Sequence, residues 1–172
     1  MAYRLTKFNV PPEYEAIDNA VEGIWSLHPI LVIHCGVYRR CSCVHLDKLA
    51  YNNHFRKKDF AGKYLPDARA NLQNNPTKKT ALFCKLNVHR IVQVVSEKRM
   101  KLAKVSKDIG NYLCGYIYLK SLDYDRSRTL FVHVPPVGKP FPVEKLSDVV
   151  LKIIEECLRQ VVDGVEKEDK GF

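Results

Sequence analysis

The sequence has no hydrophobic run that approaches the roughly 20 consecutive apolar residues that a membrane-spanning helix needs. The chain does not start, at residues 1–5, with the long apolar segment found in signal peptides. Internal repeats and low-complexity segments are also missing. These absences argue against a protein that spans a membrane and against a repeat architecture, and we expect a cytoplasmic location.

The cysteine spacing of a small secreted disulfide scaffold is missing as well. The cysteines are instead scattered through predicted strands, helices and one loop, at positions 35, 41, 43, 84, 114 and 157. We therefore expect reduced thiols.

A metal site is the alternative for the cysteines near residue 40. Soft ligands gather there within a dozen residues: His34, Cys35, Cys41, Cys43 and His45. Their spacing matches no standard zinc pattern, and alternate residues of a strand point to opposite faces. We interpret these cysteines as core residues and expect neither a metal nor another cofactor.

Basic residues outnumber acidic ones, with 28 Lys and Arg against 19 Asp and Glu and a net charge of +9. Such a surplus raises the question of nucleic-acid binding. No nucleic-acid motif accompanies the charge, and no aromatic run is interleaved with it. We interpret it as a solvated basic surface; nucleic-acid binding is the alternative, and steep salt dependence would be its mark.

A length of 172 residues with 46% hydrophobic content suits one domain, 1–172, with a core between packed layers. Apolar patterning predicts strands at 2–10, 30–34, 43–48, 101–106 and 128–134. Helical spacing predicts helices from 13 to 27, over 86–98, from about 108, and over 143–162. Residues 52–78 are the most loop-like stretch, and the charged tail, 163–172, is expected to fray. The alternation predicts an α/β fold, a three-layer α/β/α sandwich with a mainly parallel, twisted sheet.

Cys114 is the residue that indicates a catalytic function most directly. It falls in the early turns of the helix expected to begin near Asp108, whose positive end favours a thiolate. His133 follows nineteen positions later at the carboxyl end of a buried strand, where sites collect in open α/β sheets. This pairing is typical of a cysteine nucleophile and its base. The alternative is structural, with a small core cysteine and a histidine satisfied at the end of a core strand.

Three segments of the chain together resemble the type I pyroglutamyl peptidases, cysteine peptidases that remove an N-terminal pyroglutamate from peptides. The segments are 106–114, which ends at Cys114; 132–140, which begins Val-His-Val-Pro-Pro; and 34–52, which contains His-Cys-Gly-Val and Val-His-Leu-Asp-Lys. The likeness extends from Val10 to the last predicted helix.

By this resemblance Cys114 is the nucleophile, His133 is its general base and acid, and Asp47 orients the imidazole. The family's chemistry implies a thioester acyl-enzyme that water hydrolyses. It also implies that backbone N–H groups at the start of the Cys114 helix stabilise the oxyanion. The implied partners are small peptides with an N-terminal pyroglutamate.

The chain departs from the family's pattern at several positions. Asp47 stands where the family has a glutamate, and its shorter side chain predicts a poorer orientation of His133. Bulky side chains at 38–40 replace a glycine-rich turn. Ile109 and Gly115 replace an alanine and a polar residue.

The resemblance also implies that the family's first strand and helix are absent, together with a loop whose phenylalanines hold the lactam ring. Either the sequence is an incomplete form of a longer chain, or Phe60, Tyr64 or Tyr112 rebuilds the pocket, or the lactam is bound poorly. Two function classes follow: a pyroglutamyl exopeptidase, or a catalytically impaired relative that binds peptides or a partner protein. A lost strand would leave a sheet edge open to self-association.

Overall fold

A computed structural model describes residues 3–75, 81–96 and 101–169, with the backbone alone from residue 165 onward. In chain order its elements are α1 (Tyr14–Ser26), β1 (Val32–Val37), β2 (Val44–Asp47), β3 (Leu49–Tyr51), β4 (Ala81–Phe83), α2 (Val88–Val95), β5 (Ala103–Ser106), α3 (Leu113–Tyr124), β6 (Thr129–Val134) and α4 (Val143–Asp169). The predicted α/β class is confirmed. No helix in these ranges is long and apolar enough to cross a membrane.

The main sheet has four strands in the order β1–β6–β2–β5. Strand β1 pairs with β6 and β2 pairs with β5 in parallel, whereas β2 and β6 run antiparallel. The sheet is therefore mainly parallel, as predicted. The antiparallel step reverses the chain direction at its centre, so the beginning of β2 lies beside the end of β6.

The helices complete the three-layer sandwich. Helix α1 packs on α3, and α2 packs on α4 and β5. The contact between α1 and α3 is aromatic: the rings of Trp25 and Tyr124 stack with centroids 5.7 Å apart, and those of Tyr14 and Tyr116 meet edge-on at 5.0 Å. Trp25 Nε1 also donates a hydrogen bond to Ser121 Oγ at 2.9 Å, which satisfies the buried indole N–H. These contacts fix α3 and the residues at its start.

The segment between β3 and β4 was predicted to be a loop, and its described part has no strand and only one short 3-10 helix, Pro66–Ala68. Two buried carboxylates hold this segment. Asp59 accepts hydrogen bonds from the backbone N–H groups of Tyr14 and Lys63, at 3.1 and 2.8 Å. Asp123 accepts from those of Gln73 and Asn74, at 2.7 and 3.1 Å. The loop therefore lies in a defined position against α1 and α3.

The strand predicted at 2–10 is wrong for the described residues 3–10, which have no regular secondary structure. Residue 2 lies outside the described residues. Tyr3, Leu5 and Phe8 remain exposed, because no described strand pairs with this segment. The small ribbon of β3 and β4 was not predicted, since three-residue strands are too short to show a period.

Several helix boundaries also differ from the prediction, and α2 spans Val88–Val95 where the pattern predicts 86–98. Helix α3 begins at Leu113 instead of near Asp108, because Gly110 has a positive φ of 81° and the Asp108 carboxylate accepts the Gly110 N–H in a turn. Helix α4 continues to Asp169, beyond the predicted end at residue 162. Residues 170–172 of the predicted tail lie outside the described residues.

Candidate active site

The strand register aligns four residues across one face of the main sheet, and we call them the central row. Gly36 of β1 pairs with His133 of β6. His133 pairs in turn with His45 of β2, and His45 pairs with Lys104 of β5. Residues that are directly opposite each other project to the same face of a sheet. The central row therefore places two imidazoles and an ammonium group side by side.

Asp47 lies two residues beyond His45 on β2, on the same face of the sheet. Its Oδ2 accepts a hydrogen bond from His133 Nδ1 at 2.8 Å. The Asp47 carboxyl group is fully buried. The expectation that the shorter side chain would orient His133 poorly is therefore wrong, because the antiparallel pairing of β2 and β6 brings the two residues close enough.

Cys114 is the second residue of α3 and is half-buried above the central row. A Cβ atom placed on Gly36 would lie 3.2 Å from Cys114 Sγ, so the missing side chain leaves the space that the thiol occupies. Gly36 is directly opposite His133, so the Cys114 thiol lies beside the His133 side chain, and the two groups interact electrostatically. The structure thus brings together all three residues that the sequence singled out.

His133 has an unusual protonation behaviour. Burial lowers its pKa, but the hydrogen bond with Asp47 and the interaction with the Cys114 side chain, together with the charges of these two groups, outweigh the burial and raise the pKa to about 9. The protonated imidazole is therefore favoured at neutral pH. A histidinium ion beside a thiol is the arrangement that stabilises a thiolate.

The backbone at the start of α3 is free to bind an anion. The N–H groups of Leu113 and Cys114 belong to the first turn, which has no intrahelical acceptors. Within the described ranges neither N–H donates to any other group. These donors lie beside the thiol, as required for stabilisation of an oxyanion.

A close backbone approach shapes the loop that leads into α3. A Cβ atom on Gly115 would lie 2.2 Å from the carbonyl oxygen of Gly110, well inside van der Waals contact. Only glycine at position 115 leaves room for that carbonyl. Gly115, noted as a departure from the family's pattern, thus allows the turn that positions Cys114.

Tyr118 was not anticipated from the sequence. It lies one helical turn after Cys114, and its hydroxyl donates to the backbone carbonyl of Asp47 at 2.8 Å in the buried interior. Its ring also meets that of Phe131 at 5.8 Å, and Phe131 in turn lies 4.7 Å from His133. The i, i+4 spacing from Cys114 could have indicated this residue, because it places both side chains on one helix face.

The three aromatic residues proposed for the lactam pocket lie in different surroundings. Tyr112, two residues before Cys114, is half-buried and donates its hydroxyl proton to the Lys58 carbonyl at 2.7 Å. Phe60 and Tyr64 are 75% and 62% exposed. Tyr112 therefore precedes the thiol in the chain and packs on the loop at Lys58, whereas the other two lie on the surface of that loop.

The cysteines and histidines near residue 40 do not form a cluster. Among the described residues, no group of three or more metal-ligating side chains could hold an ion. All six cysteines are free thiols, and Cys41 and Cys43 are buried. His34 is buried as well, and burial lowers its pKa to about 4, so that its imidazole is neutral.

Residues 2–166 match the sequence profile of the pyroglutamyl peptidases. The chain belongs to the pyroglutamyl peptidase family. It is 29% identical over 153 residues to the pyroglutamyl-peptidase 1 proteins of mouse and human, covering 88% of this chain and 71% of those proteins. It is 28% identical to the human pyroglutamyl-peptidase 1-like protein, covering 92% of this chain and 79% of that protein.

Solved structures give the same fold. Pyrrolidone carboxyl peptidase from the hyperthermophile Pyrococcus furiosus superposes with a TM-score of 0.75 at 22% identity, covering 88% of this chain and 80% of that one. Its E192Q mutant gives a TM-score of 0.73 at 23% identity. The three-layer fold of this family member is thus shared with a distant relative.

We predict that Gly115→Ala destabilises the protein, although alanine is the better helix former. The new methyl group must displace the Gly110 carbonyl, an overpacking that costs about 1–3 kcal/mol. Urea denaturation measures the change in unfolding free energy. Gly23→Ala in α1 is the control, because its Cβ meets no atom within 4 Å and should gain up to about 1 kcal/mol. An equal change in unfolding free energy for the two substitutions would contradict the close approach of Gly115 to the Gly110 carbonyl.

We also predict that stability falls as pH rises from about 6.5 to about 9. The folded-state pKa of His133 is raised to about 9, so the stabilisation is complete below the unfolded-state pKa, near 6.5, and is lost as the pH passes the folded value. The loss is on the order of 3 kcal/mol or less. Denaturation curves at pH 6.5, 8 and 9.5 measure it. His133→Gln should show a flatter profile over that window; an equally steep one would rule out His133 as the source.

Proposed function

We propose that the protein is a cysteine exopeptidase that removes N-terminal pyroglutamate from small peptides. Membership of the pyroglutamyl peptidase family supports the reaction class. The observation that carries the proposal is the hydrogen bond between Asp47 and His133, with the Cys114 thiol beside Gly36, the residue directly opposite His133. Such a chain of acid, imidazole and thiol is the arrangement that activates a cysteine nucleophile.

In the proposed mechanism the proton of Cys114 resides on His133 in a thiolate–imidazolium pair, and the thiolate attacks the pyroglutamyl carbonyl carbon. The oxyanion is bound by the N–H groups of Leu113 and Cys114. When the carbon–nitrogen bond breaks, His133 gives its proton to the leaving amine, and a thioester remains on Cys114. Water then attacks the thioester, giving its proton to His133, and releases free pyroglutamate. Asp47 stabilises the imidazolium at both stages.

For the lactam ring we propose the surface beside Tyr112. This side chain is held by the Lys58 carbonyl and by the Lys57 ammonium, which lies 5.6 Å from the ring centroid. A ring fixed in this way offers a flat apolar surface on the residue two positions before Cys114. Phe60 and Tyr64 are exposed and so form no lactam pocket, which favours a second candidate, a catalytically impaired relative that binds peptides or a partner protein.

We predict that Cys114→Ala abolishes release of a fluorescent amine from a pyroglutamyl amide, by about 10³-fold or more, because the covalent step is lost. Wild-type activity and its absence in the variant would together support the peptidase. Cys35→Ala is the matched control, since this exposed thiol is assigned no role in the reaction. Activity that survives Cys114→Ala, or an inactive but stably folded wild type, would favour the non-catalytic candidate.

We predict that Asp47→Glu lowers kcat/KM, although it restores the family's residue. The Asp47 carboxylate already reaches His133 at 2.8 Å in a fully buried position, so an added methylene displaces the imidazole. The expected loss is about tenfold or more. Asp47→Asn serves as the comparison: it keeps the shape, removes the charge and should cost considerably more. A faster Asp47→Glu variant would show that the reach of the carboxylate is limiting after all.

A further inference from the structure

Two residues of the central row have no part in the proposed mechanism. His45 is directly opposite His133, and Lys104 is directly opposite His45. The Tyr38 ring lies with its centroid 5.8 Å from those of both His45 and His133. Among the described residues, no group forms a hydrogen bond with the His45 ring. Beyond His133, the central row therefore continues as a polar surface on which His45 and Lys104 can still donate hydrogen bonds.

This surface is positively charged. Lys104 is half-exposed, Lys101 lies at the start of the same segment, and Arg39 and Arg40 follow Tyr38 in the adjoining turn. Within the described part of the chain, none of these four cations has a carboxylate oxygen within 4 Å. No nearby carboxylate neutralises their charge, so they remain available to form charge-assisted hydrogen bonds with an anionic ligand.

His45 is a neutral hydrogen-bonding group in this setting. Burial and the charge of Lys104 lower its pKa, with smaller contributions from His133 and Lys101, and only the Asp47 carboxylate opposes them. A neutral imidazole carries no positive charge of its own and donates one hydrogen bond. Lys104 then supplies the positive charge and His45 the directional contact.

The order of the central row places this surface on the leaving-group side. Cys114 lies above Gly36, at one end, and holds the acyl group of the substrate. His133 comes next and must reach the leaving amine to give it a proton. Adjacent strands are roughly 4.8 Å apart, so Lys104 lies two strand spacings from His133. The residue that bears the leaving amine spans roughly 3.5 Å, and its substituents extend further. A charged group on that residue therefore comes within reach of the long Lys104 side chain.

We propose that His45 and Lys104 form a subsite for a carboxylate carried by the residue that follows the pyroglutamate, so that the enzyme prefers small acidic peptides. The inference rests on the proposed function. The carboxylate has two sources with the same chemistry: an acidic side chain, or the free C-terminus of a dipeptide. Both carry an oxygen that accepts from the imidazole and the ammonium group together.

Two matched pairs of peptides separate these sources. Pyroglutamyl-glutamate amide is compared with pyroglutamyl-glutamine amide, which differs only in the side-chain charge. Pyroglutamyl-alanine with a free carboxylate is compared with its amide. For at least one pair we expect kcat/KM to be about tenfold higher for the charged member, the size expected of one charge-assisted hydrogen bond. The pair that responds identifies the source.

Lys104→Glu should abolish or reverse the preference, measured as the ratio of kcat/KM between the charged and the neutral member of each pair. Lys104→Met, which keeps the length of the side chain, should remove the preference without reversing it. Lys152→Glu makes the same charge change on the exposed side of α4 and should leave the preference unchanged. A preference lost equally in Lys104→Glu and Lys152→Glu would overturn the subsite in favour of a general effect of net charge.

Failure of the subsite is distinguishable from failure of the peptidase. If the neutral peptides are cleaved and neither pair shows a difference, the subsite is refuted and the peptidase stands. If nothing is cleaved, titration calorimetry of the four peptides with the folded protein decides the question. Tighter binding of a charged peptide that Lys104→Glu removes would support the subsite alone, and equal or absent binding would overturn it.

Discussion

The hydrogen bond between Asp47 and His133 depends on the antiparallel pairing of β2 with β6 at the centre of an otherwise parallel sheet. In that pairing His45 is directly opposite His133, so Asp47 lies diagonally across from it. A shift of β2 by one residue would turn the carboxylate to the other face of the sheet. The wholly buried surroundings of Asp47 make such a shift costly, because an unpaired carboxylate would remain in the core.

Helix α3 provides the other half of the site through its position on the sheet. Tyr118 ties the helix to the backbone of Asp47, and Trp25 ties it to α1 through Ser121. The turn before the helix depends on the close contact of Gly115 with the Gly110 carbonyl. Cys114 is thus placed by backbone geometry and by the core, and its own small side chain needs only the space left above Gly36.

Part of the positive charge of this chain lies close to the candidate active site. A net charge of +9 by itself indicates only a solvated basic surface. Strand pairing, however, places Lys104 next to two imidazoles, and the turn after β1 brings Arg39 and Arg40 to the same end of the sheet. Positive charge near a reacting centre selects among substrates according to their charge and can also raise their local concentration.

The sequence by itself determined the α/β class, most helices and strands, and Cys114, His133 and Asp47 as candidates, because apolar periodicity and short motifs are local properties. It missed β3 and β4, whose strands are short, and misplaced the start of α3, where Gly110 has a positive φ. It also predicted a strand at 2–10, whereas the described residues 3–10 pair with no strand in the described part of the chain. Only the tertiary structure decided that Asp47 reaches His133 despite its shorter side chain, and that His45, Lys104 and Tyr118 adjoin them. Those relations depend on strand register and helix packing between distant segments, which no local pattern specifies.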